Sequence, residues 1–250
     1  SGTAGARVMV REQPDAHERP ATPQPDGGGR SRSGFERFRA RTAAARARLG
    51  AVYRALPDRA DLDGAQRWLF DNDYLLWRSL ASVAADMPRR FHDRLRVQAG
   101  GSTRIETTLE AFFDAREADR GGVQRRGIAD LLAFLDQRQA DEPLDLAELW
   151  AVPTMLRLML VERLLAGVGD EQVVAAAVLG LHEVERQDWT EFVEAASLVE
   201  RLLALDPAGV YPTMDEGTRD RYRSAVERVA TRTGVTERAV CDAALAAAGS

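Results

Sequence analysis

The sequence predicts an all-α protein, a multi-helix bundle of about eight or nine helices behind a disordered N-terminal arm. Three observations predict it. Apolar residues recur at helical spacing through most of 33–248. Helix caps and Pro or Gly breakers separate the periodic stretches. No strand-like alternation continues for more than a few residues, and no repeat of fixed period is present.

Residues 1–32 form the arm. Its "PATPQPDGGG" stretch is too polar and too rich in Pro and Gly to bury much surface. From residue 33 to 250 the pattern is that of a helical domain, with subdivision points near 100 or across 168–188. The first helix carries Phe35, Phe38, Ala45, Leu49, Val52 and Leu56 near one face and ends at Pro57. Asp61 or Asp63 caps the next, whose stripe holds Trp68, Leu69, Leu75, Leu76, Leu80 and Val83 up to Met87-Pro88. A short amphipathic piece with Phe91 and Leu95 follows, then "AGGS", then helices over 103–119 and 123–140 separated by Gly121-Gly122.

The segment "PLDLAELWAVPTMLRLMLVERLL" is the most apolar in the chain and predicts a helix buried nearly all round, with Pro153 as a kink or a fresh start. A helix over 170–186 comes next. Asp188 and Glu191 form a capping box that opens one helix reaching Asp206-Pro207. Thr213 or Asp215 caps a helix that closes at Gly234, and Thr236 caps the last.

Composition removes several kinds of chemistry. All 34 basic residues are Arg, so no lysine is available as a phosphate-loop residue, a Schiff base or a general base. Net charge is -5, yet residues 1–50 carry ten Arg against five acids. That stretch contains only two aromatics, Phe35 and Phe38, and its arginines are interleaved with acids, which reads as a solvated tail running into a charged helix rather than a nucleic-acid contact. The lone Cys241 gives no disulfide framework and fits a reducing compartment. No run approaches the roughly 20 apolar residues of a membrane span and no signal peptide opens the chain, so a cytoplasmic location is expected.

Candidate catalytic groups are few. Asp71-Asn72-Asp73 is a D-x-D triplet, but inside a helical stripe side chains two apart diverge by about 200°, which argues against a shared metal ion. His17, His92 and His182 lack metal-site spacing and read as surface or second-shell residues. Glu183/Glu185 and Glu191/Glu194 read as solvated helix faces. Cys241 reads as a small buried hydrophobe. Trp68, Trp77, Trp150 and Trp189 read as core anchors, Trp77 being the least stripe-bound, with sugar stacking as the lesser reading. Arg157, flanked by Met155, Leu156 and Leu158, needs a buried carboxylate; Glu148 and Glu162 are the local candidates and a distant Asp would serve equally. No metal, cofactor or catalytic residue is assigned.

The segment 143–164 is similar to one in the N-terminal helical region of cyclic β-1,2-glucan synthases, large membrane-embedded bacterial enzymes. The shared pattern is carried by Pro143, Leu144, Glu148, Leu149, Trp150, Ala151, Pro153, Met155, Leu156, Arg157, Leu158 and Glu162. A second block, 188–234, resembles the same region through Trp189, Phe192, "SLVE" (Ser197 to Glu200), "DPAGVY" ending at Tyr211, and "MDEGTRDRYR", which contains Asp215, Thr218, Arg219, Asp220, Arg221 and Tyr222. Weaker echoes lie at 67–76, including Trp68 and Asn72, and at 87–95. Two departures stand out. Only about 165–187 separates the strong blocks, where the family has a longer stretch, and the family's transferase, transglycosylating and phosphorylase-like parts are not in this sequence. The resemblance implies an accessory, non-catalytic scaffolding domain at the inner face of the inner membrane. Its implied partners are a glucosyltransferase domain or membrane synthase, in the same or another chain, and β-1,2-glucan; nucleic acid is not among them. The competing readings are a stand-alone helical interaction protein and a carbohydrate-active enzyme using a carboxylate pair.

Overall fold

The computed structural model describes residues 27–120, 127–139 and 142–248. Residues 1–26 of the expected arm, with His17, and the Gly121-Gly122 break lie outside the described residues. Twelve α-helices are present among the described residues: α1 Gly27–Ala55, α2 Gly64–Asp71, α3 Asp73–Asp86, α4 Arg89–His92, α5 Arg104–Arg120, α6 Ile128–Arg138, α7 Leu146–Ala166, α8 Glu171–Arg186, α9 Trp189–Ala196, α10 Leu198–Leu203, α11 Glu216–Thr233 and α12 Glu237–Ala248. Short 3₁₀ turns occupy Arg59–Asp61 and Tyr211–Thr213. The only β pairing among the described residues is an isolated Val97–Thr103 bridge. The protein is all-α.

The helix count exceeds the expectation because two periodic stretches are broken in the middle. Asn72 separates α2 from α3. Its side-chain amide donates to the Trp68 carbonyl (2.9 Å), so a local side-chain bond competes with the helical ladder. Ser197 separates α9 from α10 with extended backbone, and its Oγ accepts from the Glu200 N–H at 3.2 Å. Both breaks turn the chain while the apolar stripe continues on the far side. Asp71-Asn72-Asp73 therefore sits at a helix break, not inside one continuous stripe as its surroundings suggested.

Several caps agree with the sequence reading. Asp63 and Gln66 form a reciprocal capping box for α2. Asp188 accepts from Thr190 and Glu191, Asp215 from Thr218, and Thr236 from Ala239. α11 ends at Gly234 with φ +73, a left-handed conformation that a Cβ would strain.

α7 is the hub. It packs against α8, α3, α5, α1 and α9, while α10 and α11 hold α12. Leu149, Val152, Met155, Leu158, Val161 and Leu164 are completely or almost completely buried on it. Pro153 lies within α7, which continues through it from Leu146 to Ala166; a proline there leaves the Leu149 carbonyl without its usual helical donor. Gly180 on α8 faces α7 so closely that an added Cβ would meet the Leu160 side chain at 3.2 Å. One hydrophobic cluster extends from Phe38 of α1 to Cys241 of α12. No helix among the described residues is long and apolar enough to cross a membrane.

Candidate functional site

The residues singled out by the resemblance fall into two groups in space. The first lies along α7, where each charged motif residue reaches a different neighbouring helix. Glu148 is completely buried. Its carboxylate receives the Arg104 guanidinium of α5 through Nε (3.0 Å) and Nη2, and accepts from the Asp145 N–H at 2.9 Å, closing a capping box. Arg104 also donates to Glu142 and to the Pro143 carbonyl. Glu162 takes a two-pronged contact from Arg41 of α1 at 2.7 and 3.0 Å, and Arg41 reaches Glu106 of α5 at 2.6 Å.

Arg157 is paired, but not with the local acids. Glu148 and Glu162 point to other helices and are already engaged. Arg157 instead donates to Glu185 of α8 at 2.9 Å and lies 3.7 Å from Asp86 at the end of α3. The reason is geometric: on one helix Glu148 and Glu162 lie nine residues before and five after Arg157, on other faces. Glu185 is consequently not part of a solvated face. Neither is Glu183, which accepts from the Ile128 N–H at 2.8 Å, nor Glu194, described below.

The second group is an ion-pair network joining α9, α10 and α11. Glu200 accepts from the Tyr211 hydroxyl (2.7 Å), Arg219 Nη1 (3.0 Å) and Arg223 Nη1 (3.1 Å). Glu194 accepts from Arg223 at 2.8 Å and lies 3.3 Å from Arg219. Asp220 receives Arg223 from the same helix. Burial and donation to Glu200 push the Tyr211 hydroxyl well above the usual phenol range. Asp206 holds the preceding loop by accepting from the N–H groups of Ala208, Val210 and Tyr211, which lowers its pKa. Asp215 is lowered likewise by the Thr218 hydroxyl and N–H. Arg221 is exposed, and the half-exposed Tyr222 ring stacks edge-on against Tyr211.

The remaining candidates divide. Trp68 is half-buried on α2, and Asn72 uses its Oδ1 to meet His182 of α8 at 3.0 Å. Trp150 is 39% exposed, the most open of the four tryptophans, so the expected core anchor is not one. Its position on α7 is only partly covered, a fact its own stripe does not encode. His92 departs in the opposite direction. It is 1% exposed, wedged against the Phe35 and Phe38 rings, and burial pushes its imidazole below the usual histidine range.

Three partners were not singled out from the sequence: Arg41, Arg104 and Glu237. No local pattern marks them, whereas Arg223 closes the "MDEGTRDRYR" element. Glu237 opens α12, is 7% exposed, and accepts from the Leu146 N–H at the start of α7 (3.0 Å). Burial, with Asp145 and Glu148 nearby, pushes its carboxyl up to about 7. One turn on, Cys241 is completely buried and its thiol is pushed up to about 11, by burial first and then by Glu237 and Asp242. Alkylation of Cys241 by iodoacetamide at pH 8 is therefore expected to follow unfolding. Stoichiometric labelling of the native protein within minutes would contradict this burial.

The geometry defines a helical domain in which Glu148, Arg157, Glu162, Glu200 and Arg219 join one helix to another. Among the described residues no group of three or more His, Cys, Asp or Glu side chains could hold a metal ion. The chain is similar to cyclic beta-(1,2)-glucan synthase NdvB of Rhizobium meliloti (strain 1021), with 31% identity over 131 residues. That stretch is 51% of this chain and 4% of the synthase, so the relationship is distant and covers a small part of the larger protein. No family model and no solved structure matches.

Proposed function

We propose that this chain is a non-catalytic docking domain of a membrane-bound β-1,2-glucan synthase system, positioned at the inner face of the inner membrane. One observation carries the reading. Five charged residues of the glucan-synthase-like motifs, Glu148, Arg157, Glu162, Glu200 and Arg219, are engaged in contacts between helices, while Asp215 caps α11, Asp220 bonds within it and Arg221 is exposed. Residues committed to holding helices together suit a scaffold, whose surface rather than whose chemistry is used. The likeness to a cyclic glucan synthase supplies the partner: the glucosyltransferase region of such an enzyme, and the nascent glucan it makes.

The test is co-purification of the full chain with a β-1,2-glucan synthase transferase region, alongside reducing-end assays on β-1,2-glucan. The expected result is a stable complex with no new reducing ends. A monodisperse chain that ignores both the transferase and the glucan would overturn the docking reading. Steady release of reducing ends would replace it with a carbohydrate-active enzyme.

A further inference from the structure

α1 and α3 enclose an open groove of about 500 Å³ on the outside of the bundle. Its floor is apolar: Phe38, Leu80 and Met87 lie at the bottom, and Phe35 and Pro88 at one end. Its walls are lined by small exposed residues, Ala40 and Ala43 from α1 and Ala84 from α3. Thr42 and the charged Glu36, Arg39 and Arg46 complete the α1 side. A groove with a largely apolar floor and alanines along its walls admits the ridge of an amphipathic helix, whose anchor side chains recur at i, i+3 or i+4, and i+7.

Charge selects among such helices. Between residues 34 and 55, α1 carries six arginines (37, 39, 41, 46, 48 and 54) and one acid, Glu36. Among the described residues Arg41 is paired across the fold with Glu106 and Glu162, and Arg39 is paired within α1 with Glu36 at 3.2 Å, an exposed contact of small energy. Arg37 and Arg48 donate to backbone carbonyls, and Arg46 lies over the Trp77 ring, contacts that leave the positive charge in place. Of the six, Arg39 and Arg46 line the groove, against the single acid Glu36, so its charged rim is net positive in a chain whose overall charge is negative.

We infer that the α1–α3 groove is a docking site for an acidic amphipathic helix of a partner polypeptide, with its apolar ridge on Phe35, Ala43, Leu80 and Ala84 and its flanking carboxylates on Arg39 and Arg46. An anionic bilayer fits less well. Its surface is broad and is entered by protruding apolar side chains, whereas the apolar groups here are recessed between two helices. The inference deepens the docking reading above by naming the surface and the chemistry of what lies on it.

The probe is a synthetic helical peptide with leucines at i, i+3, i+7 and i+10 flanked by glutamates, titrated onto the full chain by fluorescence anisotropy. Controls are the same peptide with arginines in place of the glutamates and a scrambled glutamate peptide. The expected result is saturable binding of the acidic peptide alone, weakening as salt rises. The double variant Ala43→Glu/Ala84→Glu is expected to weaken it at least tenfold. Both positions are exposed on helices, so the variant's thermal midpoint checks that the fold is kept, and Arg39→Glu/Arg46→Glu provides a second variant expected to act in the same direction. Equal binding of the arginine or scrambled peptide, or binding unchanged in both variants, would overturn the inference. Co-sedimentation with phosphatidylglycerol vesicles that survives in both variants, without peptide binding, would also overturn it. If the alanine variant loses the peptide yet keeps the transferase region, the groove is the wrong surface while the docking reading stands.

Discussion

Glu148→Ala is expected to destabilise the protein by about 3–5 kcal/mol, the cost of removing one partner from a buried ion pair. Arg104, 5% exposed, would keep contacts only with the Pro143 carbonyl and the exposed Glu142. The Asp145 N–H would lose its acceptor as well. In thermal unfolding the midpoint should fall on the order of 10 °C for a domain of this size. Glu148→Gln keeps an acceptor oxygen and should cost less. The double variant Glu148→Ala/Arg104→Met should recover much of the loss, because the stranded guanidinium is gone. A loss below about 1 kcal/mol in the single variant would mean that Arg104 finds water or another acceptor, and that this joint is not a structural centre of α7.

That prediction rests on contacts invisible in the linear sequence, and the contrast shows what was legible. Local signals carried the helical class. The Asp63, Asp188, Asp215 and Thr236 caps, the left-handed Gly234 stop and the apolar stripe of α7 all act within one or two turns, and they are present in the structure. The breaks at Asn72 and Ser197 were missed because helical periodicity continues across them, and a single polar residue in a stripe does not announce that its side chain will bond its own backbone.

Ion-pair partners were illegible for a different reason. Arg41 and Glu162 lie 121 positions apart, and Arg104 and Glu148 44 apart, so only the packing of α1 and α5 onto α7 brings them together. The need of Arg157 for a carboxylate could be read from its apolar neighbours; which carboxylate could not. Exposure failed in both directions for the same cause. Trp150 lies on a part of α7 left partly open, whereas His92 is covered by α1. A stripe states which face is apolar and not whether another helix arrives to bury it. The motif residues of the resemblance were legible as a set, and their clustering around Glu200 gathers Ser197, Tyr211, Arg219 and Asp220 into one region, with Arg223, the last residue of the "MDEGTRDRYR" element, at its centre.

The second large effect is on pH dependence, and it comes from Glu237. Its carboxyl titrates at about 7 in the folded protein against 4.5 as an ordinary glutamate. Below 4.5 both states hold the proton and the group adds no difference. Between about 4.5 and 7 the unfolded chain releases it while the folded chain keeps it, so the folded state binds more protons and stability falls as pH rises. Above 7 the whole penalty is present, on the order of 3 kcal/mol for a shift of this size. The groups around it explain the sign. Burial dominates, Asp145 and Glu148 at the start of α7 repel a second negative charge, and Arg96, bound to Asp145 at 2.6 Å, offsets only part of this. On α11, Glu227 is engaged by Arg94. His92 works in the opposite direction: buried and favoured as the neutral ring, it removes stability as pH falls through the ordinary histidine value of 6.5. The wild-type profile therefore mixes the two, and the difference between wild type and Glu237→Gln isolates the carboxyl. The glutamine oxygen can still accept from the Leu146 N–H, and its amide can donate toward Asp145 or Glu148. Glu237→Gln is expected to match wild type near pH 4.5 and to exceed it by about 3 kcal/mol at pH 8, read from urea midpoints at each pH. A difference that does not change between pH 5 and 8 would mean that Glu237 is solvated, and that α12 does not seat its carboxyl against the start of α7.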